Sequence, residues 1–386
     1  MNRIDDLIAK LCPKGVEFKE LGGLLKRTSN IRWQDVQGEE FQYIDLTSVD
    51  RNTHVIGDTE TIDGETAPSR AQQIVHEGDV IFGTTRPMLK RYCLISSKYD
   101  KQICSTGFCV LRAKTELLQQ NFLFHLLGTE EFYNYVESNQ RGASYPSITD
   151  KAVKAFRIPV PPLDVQREIV KVLDAFTQLE AELEAELEAR RRQYQYYRDA
   201  LLSFAGKDDI RWATLGEVAK SYRGTAITEA KTTDGIIPVV ANSPLPVYFH
   251  GESNRSGETI VVARSGAYAG LITFWDQPIF LTDAFSIHPD VELLNTKFVY
   301  YFLQNKQSII HSIKKGSGVP HVRVKDFESF RIPIPPLSEQ ARIVAILDTF
   351  DALVNDLTSG LPAEIAARRT QYAHYRDRLL TFREAA

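Results

Sequence analysis

The stretch Ile158-Pro-Val-Pro-Pro-Leu-Asp-Val-Gln-Arg-Glu-Ile-Val-Lys-Val-Leu-Asp-Ala-Phe176 returns as Ile332-Pro-Ile-Pro-Pro-Leu-Ser-Glu-Gln-Ala-Arg-Ile-Val-Ala-Ile-Leu-Asp-Thr-Phe350. A second block follows each copy. It reads Arg191-Arg-Gln-Tyr-Gln-Tyr-Tyr-Arg-Asp-Ala-Leu-Leu-Ser-Phe204 after the first and Arg369-Thr-Gln-Tyr-Ala-His-Tyr-Arg-Asp-Arg-Leu-Leu-Thr-Phe382 after the second. Chance does not reproduce both blocks at matched spacing, so the chain is an internal duplication.

Each copy predicts an extended entry followed by a long helix, which we call an arm. The prolines fix φ and cannot donate to a sheet, so a helix starts only near Asp164 or Ser338, both N-cap residue types. In the first arm, apolar residues alternate at spacings of four and three, interrupted by Glu180 and Arg190. They are Ile169, Leu173, Phe176, Leu183, Leu187, Tyr194, Tyr197, Leu201 and Phe204. This is a coiled-coil pattern, and some forty helical residues extend about 60 Å, which suits a spacer.

The second arm keeps this rhythm but is four residues longer between Phe350 and Tyr372 than the first arm between Phe176 and Tyr194. Its first apolar positions are Ile343, Leu347, Phe350, Val354, Leu357 and Leu361. Four extra residues form a stutter, which unwinds a coiled coil locally. Gly360 and Pro362 lie there, so we expect a kink or a short break, with Pro362 in the first turn of a new helical segment.

The first arm contains a four-residue repeat, Leu179-Glu-Ala-Glu-Leu183-Glu-Ala-Glu-Leu187. One interpretation is a solvated, charged helix face. The other is an adjustable spacer, since one added unit would lengthen the helix by roughly 6 Å and alter nothing else.

Two globular regions precede the arms, and fainter correspondences relate them. Val16 to Gly22 resembles Ile210 to Gly216, and Gly78-Asp-Val-Ile-Phe resembles Gly257-Glu-Thr-Ile-Val. Short β-rich runs alternate with turns, and a helix is expected near 120–138 in the first region and 295–314 in the second. We therefore predict α+β domains at 1–157 and 205–331, followed by arms at 158–204 and 332–386.

Each domain carries two loops in which glycines, basic residues and hydroxyl residues combine. Basic side chains bind phosphates or guanine, and backbone amides at glycine approach phosphates closely, although such loops are also ordinary exposed turns. His321 by itself is a surface histidine in the simpler interpretation. The candidate DNA-binding residues are Thr84, Thr85, Arg86, Lys90, Arg91, Arg141, Ser144, Tyr145, Arg264, Ser265, Tyr268, Lys314, Lys315, Ser317, His321 and Arg323.

Other classes of function find little support in the sequence. A net charge of −4 argues against indiscriminate nucleic-acid binding, and four cysteines without CxxC pairs or spaced histidines argue against a metal or disulfide framework. The sequence has no P-loop, no glycine-rich cofactor turn and no motif that positions a flipped adenine. With no signal peptide or membrane span recognised, we expect a cytoplasmic protein that is not an enzyme.

The two repeated blocks resemble the central and distal conserved regions of the specificity subunit of type I restriction-modification systems. The resemblance covers essentially the whole chain. It implies two pseudo-repeated target recognition domains of α/β type, joined by two long helices that form an antiparallel coiled coil. It also implies a bipartite, asymmetric double-stranded DNA target with a non-specific gap.

The resemblance further implies partners that carry the chemistry of DNA methylation and phage defence. Two modification subunits would methylate adenine with S-adenosylmethionine, and restriction subunits would use ATP and Mg²⁺, so this chain would bind no cofactor itself. Two alternatives stay open on the residues alone: a coiled-coil scaffold that does not read DNA, and a methyltransferase with its own recognition domains. The scaffold would show no sequence-dependent DNA binding, and the enzyme would bind cofactor.

Overall fold

A computed structural model describes residues 2–385 except 37, 205, 207–208, 313–319 and 357. The chain divides into two compact units. Unit 1 comprises Met1–Ala185 and Glu364–Ala386, and unit 2 comprises Glu186–Ala363. Each unit thus contains one globular region and parts of both arms. The domain boundaries after residues 157, 204 and 331 stay predictions.

Both arms are helical, as the repeats predict. The helices are α1 (Asn2–Leu11), α2 (Gln120–Leu126), α3 (Glu130–Asn139), α4 (Asp150–Ala155), α5 (Leu163–Leu201), α6 (Leu215–Val218), α7 (Thr296–Asn305), α8 (Gln307–Ser312), α9 (Val324–Glu328), α10 (Leu337–Asn355) and α11 (Leu361–Leu380). The strands of unit 1 are β1 (Phe18–Glu20), β2 (Phe41–Ile44), β3 (Glu60–Ile62), β4 (Ala71–Ile74), β5 (Val80–Gly83), β6 (Tyr92–Leu94), β7 (Ile103–Ser105), β8 (Phe108–Leu111) and β9 (Arg157–Pro159). Those of unit 2 are β10 (Arg211–Thr214), β11 (Ala219–Arg223), β12 (Ile237–Val240), β13 (Tyr248–His250), β14 (Glu258–Ala263), β15 (Ile272–Asp276), β16 (Phe280–Leu281), β17 (Ala284–Pro289) and β18 (Arg331–Ile334).

The sheets of the two units share one plan. In unit 1, β2 pairs antiparallel with β3 and parallel with β7, and β5 lies antiparallel between β6 and β8. In unit 2, β12 pairs in the same way with β13 and β16, and β14 lies between β15 and β17. A short ladder, β1 with β9 or β10 with β18, closes each globular region just before its arm. The α+β fold and its duplication are confirmed.

The arms pair antiparallel within each unit. In unit 1, the ring of Phe176 on α5 stacks on that of Tyr375 on α11, with 5.4 Å between the ring centres. Arg369 of α11 forms ion pairs with Glu180 and Glu184, which lie further along α5. As the residue numbers of these contacts increase along α5, those of their partners decrease along α11, so the two helices run antiparallel. In unit 2, the rings of Tyr194 and Tyr197 stack on Phe350 at 6.2 and 5.4 Å. The predicted coiled-coil positions Ile169, Leu173, Leu187, Ile343, Leu347 and Val354 are buried.

The second arm breaks where the stutter predicts it. Helix α10 ends at Asn355, and α11 starts at Leu361 with Pro362 in its first turn, while Leu357 lies outside the described residues. Gly360 is required in the turn, because a Cβ there would lie 2.5 Å from the carbonyl oxygen of Ala352.

Three expectations about helix ends need correction. Asp164 and Ser338 lie inside the first turns of α5 and α10, because the carbonyl oxygens of Pro162 and Pro336 accept the first helical hydrogen bonds. The helix expected over 120–138 is two helices, since the Thr129 side chain caps α3 by accepting from the Phe132 amide. The one expected over 295–314 is also two, α7 and α8, and Lys314 lies outside the described residues.

The glutamine that both copies of the arm motif share, Gln166 or Gln340, has a structural role. In unit 1, Gln166 accepts a hydrogen bond from the amide of Gln119 and donates to the carbonyls of Leu117 and Pro161, at 2.8–2.9 Å. Its counterpart Gln340 makes the same three bonds in unit 2, and both glutamines are fully buried. The glutamine thus joins the start of each arm to the loop before helix α2 or α7, and it satisfies backbone groups there that are wholly or partly buried.

A repeated aspartate makes a second connection about two turns further along the helix. Asp174 accepts from Asn121 and His125 of α2, and Asp348 accepts from Lys297 and Tyr301 of α7. The acceptor is the same in both units, whereas the donors differ. Together with the glutamine, the aspartate fixes each globular region to its arm.

Candidate DNA interface

The two loops that the sequence predicts in unit 1 lie side by side. Thr85 forms a β-bridge with Ser147, and the amide of Arg86 donates to the carbonyl of Pro146 at 2.7 Å. Arg141 and Ser147 exchange two backbone hydrogen bonds of 2.8 Å, which close the second loop into a hairpin. The loop after β5 and the loop after α3 therefore form one surface.

Two basic residues of this surface have left-handed backbone conformations. Arg86 has φ +50° and Lys90 has φ +57°, which costs about 1–2 kcal/mol for a residue with a Cβ. The Arg86 guanidinium lies 4.3 Å from the ring centre of Tyr145, which is 70% exposed, and the Lys90 ammonium lies 4.6 Å from that of Tyr133. The left-handed conformations and the aromatic contacts make these two exposed cations candidates for binding an outside partner.

The remaining candidates of unit 1 separate into two kinds. Arg141 and Ser144 are exposed, as a DNA contact requires. Thr84 is buried and donates its hydroxyl to the carbonyl of Gly107, and Arg91 donates to the carbonyls of Leu46 and Val49. Thr84 uses its hydroxyl proton and Arg91 uses Nη1 inside the protein, so both side chains help to hold the loop in place.

Unit 2 repeats the same backbone arrangement. Ser265 forms a β-bridge with His321, Gly266 donates to the carbonyl of Pro320, and Val322 donates to that of Arg264. Gly266, with φ +80°, occupies the position of Arg86. Three candidates of this surface, Lys314, Lys315 and Ser317, lie outside the described residues.

The described candidates of unit 2 are all wholly or partly accessible. Arg264, Tyr268 and His321 are exposed, and Ser265 is half-buried. Arg323 caps α9 and binds both carboxylate oxygens of Asp326, whose hydrogen bond raises the pKa of the arginine. Arg323 is therefore engaged within the protein, and its loop position alone is no longer evidence for DNA contact.

Two residues that sequence reasoning missed organise this surface. The Asn242 carbonyl oxygen accepts from the amides of Arg264 and Ser265, and its amide group donates to the Ser265 hydroxyl and to Asp283. Asp283 has φ +41°, a conformation that aspartate tolerates better than most residues. Asn242 and Asp283 belong to turns after other strands, so no local motif marks them.

Other kinds of site are not evident in the part of the chain that is described. Residues 2–385, with the gaps given above, contain no group of three or more His, Cys, Asp or Glu side chains that could hold a metal ion. None of the helices described there is long and apolar enough to cross a membrane. The four cysteines are buried, and burial raises the pKa of each thiol, which makes them poor nucleophiles.

Comparison with known proteins identifies the family. The model of the type I restriction-modification DNA specificity domain matches residues 13–189 and again 208–367, once for each repeat. The chain belongs to this family. The comparisons give no support to the alternative of a scaffold that does not read DNA.

Relatives in this family agree with the duplicated architecture. Two type I restriction enzyme specificity subunits of Escherichia coli are 36% identical over 61% of the chain and 30% identical over 58% of it. The alignments span 65% and 59% of those relatives, less than two thirds of their length. A chain solved in work on complex assembly and conformational transition of the type I R-M system is 28% identical. That match covers 95% of this chain and 98% of the other, with a TM-score of 0.66.

Proposed function

We propose that this chain is the subunit that reads the DNA target of a type I restriction-modification complex, each unit reading one half of a bipartite sequence. The observation that carries the proposal is the pair of matched loops in each unit. Their backbones follow the same hydrogen-bond plan, while their side chains differ. Loops with the same backbone arrangement but different side chains suit an asymmetric target, because side-chain donors and acceptors distinguish the base edges.

The chemistry is proposed to lie in partner subunits in the cytoplasm. Two modification subunits would methylate adenine with S-adenosylmethionine, and restriction subunits would translocate and cut DNA with ATP and Mg²⁺. The arms offer exposed surface for docking: Tyr196 on α5 is 70% exposed, and the neighbouring Arg191 and Arg192 are also exposed. Exposed aromatic and arginine side chains are enriched at protein interfaces.

The test separates recognition from catalysis. We expect modification subunits assembled with this chain to bind and methylate one DNA sequence, and modification subunits alone to show no such preference. The chain alone, mixed with S-adenosylmethionine and DNA, is expected to transfer no methyl group. Methyl transfer by the chain alone, or sequence preference without it, would refute the proposal.

A further inference from the structure

An arginine and an aspartate project together at one end of a strand pair in unit 2. Arg264 follows β14 and Asp283 precedes β17, and these strands pair with Ala263 opposite Ala284. The Arg264 Nη1 lies 3.8 Å from the Asp283 Oδ1, and the two side chains are 50% and 56% exposed. The ion pair is loose and open to solvent.

Asn242 sets the position of this pair. Its oxygen accepts two backbone hydrogen bonds, and its two amide hydrogens go to Ser265 and to Oδ2 of Asp283, at 2.9 and 2.6 Å. All the donors and acceptors of this amide are used, so Asn242 is a positioning residue and cannot itself read a base. Oδ1 of Asp283 faces the Arg264 guanidinium, which makes no hydrogen bond to any described residue.

Unit 1 has no charged pair at this position. Gly83 pairs with Phe108, as Ala263 pairs with Ala284, and the residue after Gly83 is Thr84. Thr84 is buried, and its hydroxyl donates to Gly107 in the turn Ser105-Thr106-Gly107 that stands in place of Asp283. The strand pairing does not require the charges of Arg264 and Asp283, since unit 1 forms the equivalent pairing without a charged pair.

We propose that Arg264 and Asp283 together read one G·C base pair in the half-site of unit 2. Arginine donates two hydrogen bonds to O6 and N7 of guanine, and a carboxylate accepts from N4 of cytosine. O6 and N4 are adjacent in the major groove, which suits side chains that are already neighbours. Asp283 is unsuited to a phosphate contact, because both groups are negative.

This inference rests on the proposed function and deepens it. Asp283→Asn keeps the shape of the side chain and removes the charge that attracts the cytosine amino group. In the assembled complex, we expect the preference for G·C over other base pairs at one position of the target to fall roughly ten- to hundred-fold, as measured by methylation. The other half-site and the gap should not change. Asp290→Asn is the matched control, because Asp290 is also exposed and follows the opposite end of β17.

A second measurement uses the unaltered chain and so does not depend on the folding of a variant. Guanines of the target are replaced one at a time by 7-deazaguanine, which lacks the N7 acceptor, and binding by the wild-type complex is measured. One replacement in the half-site affected by Asp283→Asn should weaken binding about tenfold.

The outcomes are distinct. An unchanged target in Asp283→Asn, equal weakening on all sequences, or indifference to every 7-deazaguanine would overturn the role of the pair while leaving the proposed function intact. A wild-type complex without any sequence preference would overturn the proposed function itself, and the pair with it.

Discussion

Nε2 of His125 lies 2.8 Å from Oδ1 of Asp174 in unit 1; the histidine side chain is completely buried, whereas that of the aspartate is 41% exposed. Nδ1 of the same ring lies 2.8 Å from the hydroxyl of Tyr372 on α11. The carboxylate can only accept, so Nε2 donates and the neutral Nδ1 accepts from the tyrosine. In unit 2, Tyr301 occupies the equivalent position against Asp348. At this junction unit 1 thus has a histidine, whose ordinary pKa lies near neutral pH, where unit 2 has a tyrosine.

Acidification should destabilise unit 1 through two histidines. Burial lowers the pKa of His125 despite Asp174, and burial lowers the pKa of His54 to about 4. A folded-state pKa below the unfolded value near 6.5 gives stability that is complete above pH 6.5 and is lost as pH falls. We predict a smaller drop in melting temperature between pH 7.5 and 5 for the double variant His54→Asn/His125→Gln than for the wild type.

The control for this prediction is His374→Gln. His374 is exposed on α11, so its replacement should keep the wild-type pH dependence. Equal pH dependence of the wild type and the double variant would show that the two histidines do not couple folding to protons.

Gln166→Leu should destabilise the chain strongly. It leaves one backbone amide and two carbonyls without their side-chain partner, and such a group costs roughly 1–3 kcal/mol where it is buried. We expect a total loss of about 3 kcal/mol or more, measured by urea unfolding. Gln178→Leu on the same helix is the control, since Gln178 is exposed and binds only Glu182. Similar losses for both variants would contradict the anchoring role of Gln166.

Arg86→Gly should separate stability from DNA binding. Glycine adopts φ +50° without strain, and unit 2 already has Gly266 there, so stability should stay level or rise slightly. Binding by the assembled complex should weaken. A lost phosphate contact would reduce the salt slope by about 0.9, whereas a lost base contact would relax one position. Unchanged affinity, salt slope and specificity would exclude Arg86 from the interface.

The four-residue repeat of α5 predicts a change in the gap of the target. Glu-Ala-Glu-Leu inserted after Leu183 lengthens the helix by roughly 6 Å, about one to two base pairs of DNA. The insertion leaves Glu180 in place and puts a new glutamate directly after Leu183, at the position of Glu184. Arg369 therefore keeps both of its carboxylate partners. Methylome sequencing should show both half-sites unchanged with a different gap. An unchanged gap would favour the solvated-face interpretation.

Much of the fold was predictable because the duplication supplies each signal twice. The prolines at 161–162 and 335–336, the apolar spacing and the stutter at Gly360 all act locally, so the helix starts and the break were visible in sequence. The break at Thr129 was missed, because apolar periodicity continues across it and one cap decides it.

The candidate interface was less predictable, because tertiary contacts decide which loop residues are available. Arg86 and Arg91 look alike in sequence, but only the second is held by carbonyls of a loop some forty residues away. Asn242 lies 22 residues from Arg264, and Asp283 lies 18 residues from Ser265, so the sequence gives no local sign of them.

Each unit is proposed to read its own half-site, and one domain exchange tests this proposal. Residues 1–157 are replaced by the equivalent region of a relative with a different target, and the methylome of the host is sequenced. One half of the methylated sequence should change while the other half is retained. A change in both halves, or in neither, would contradict it.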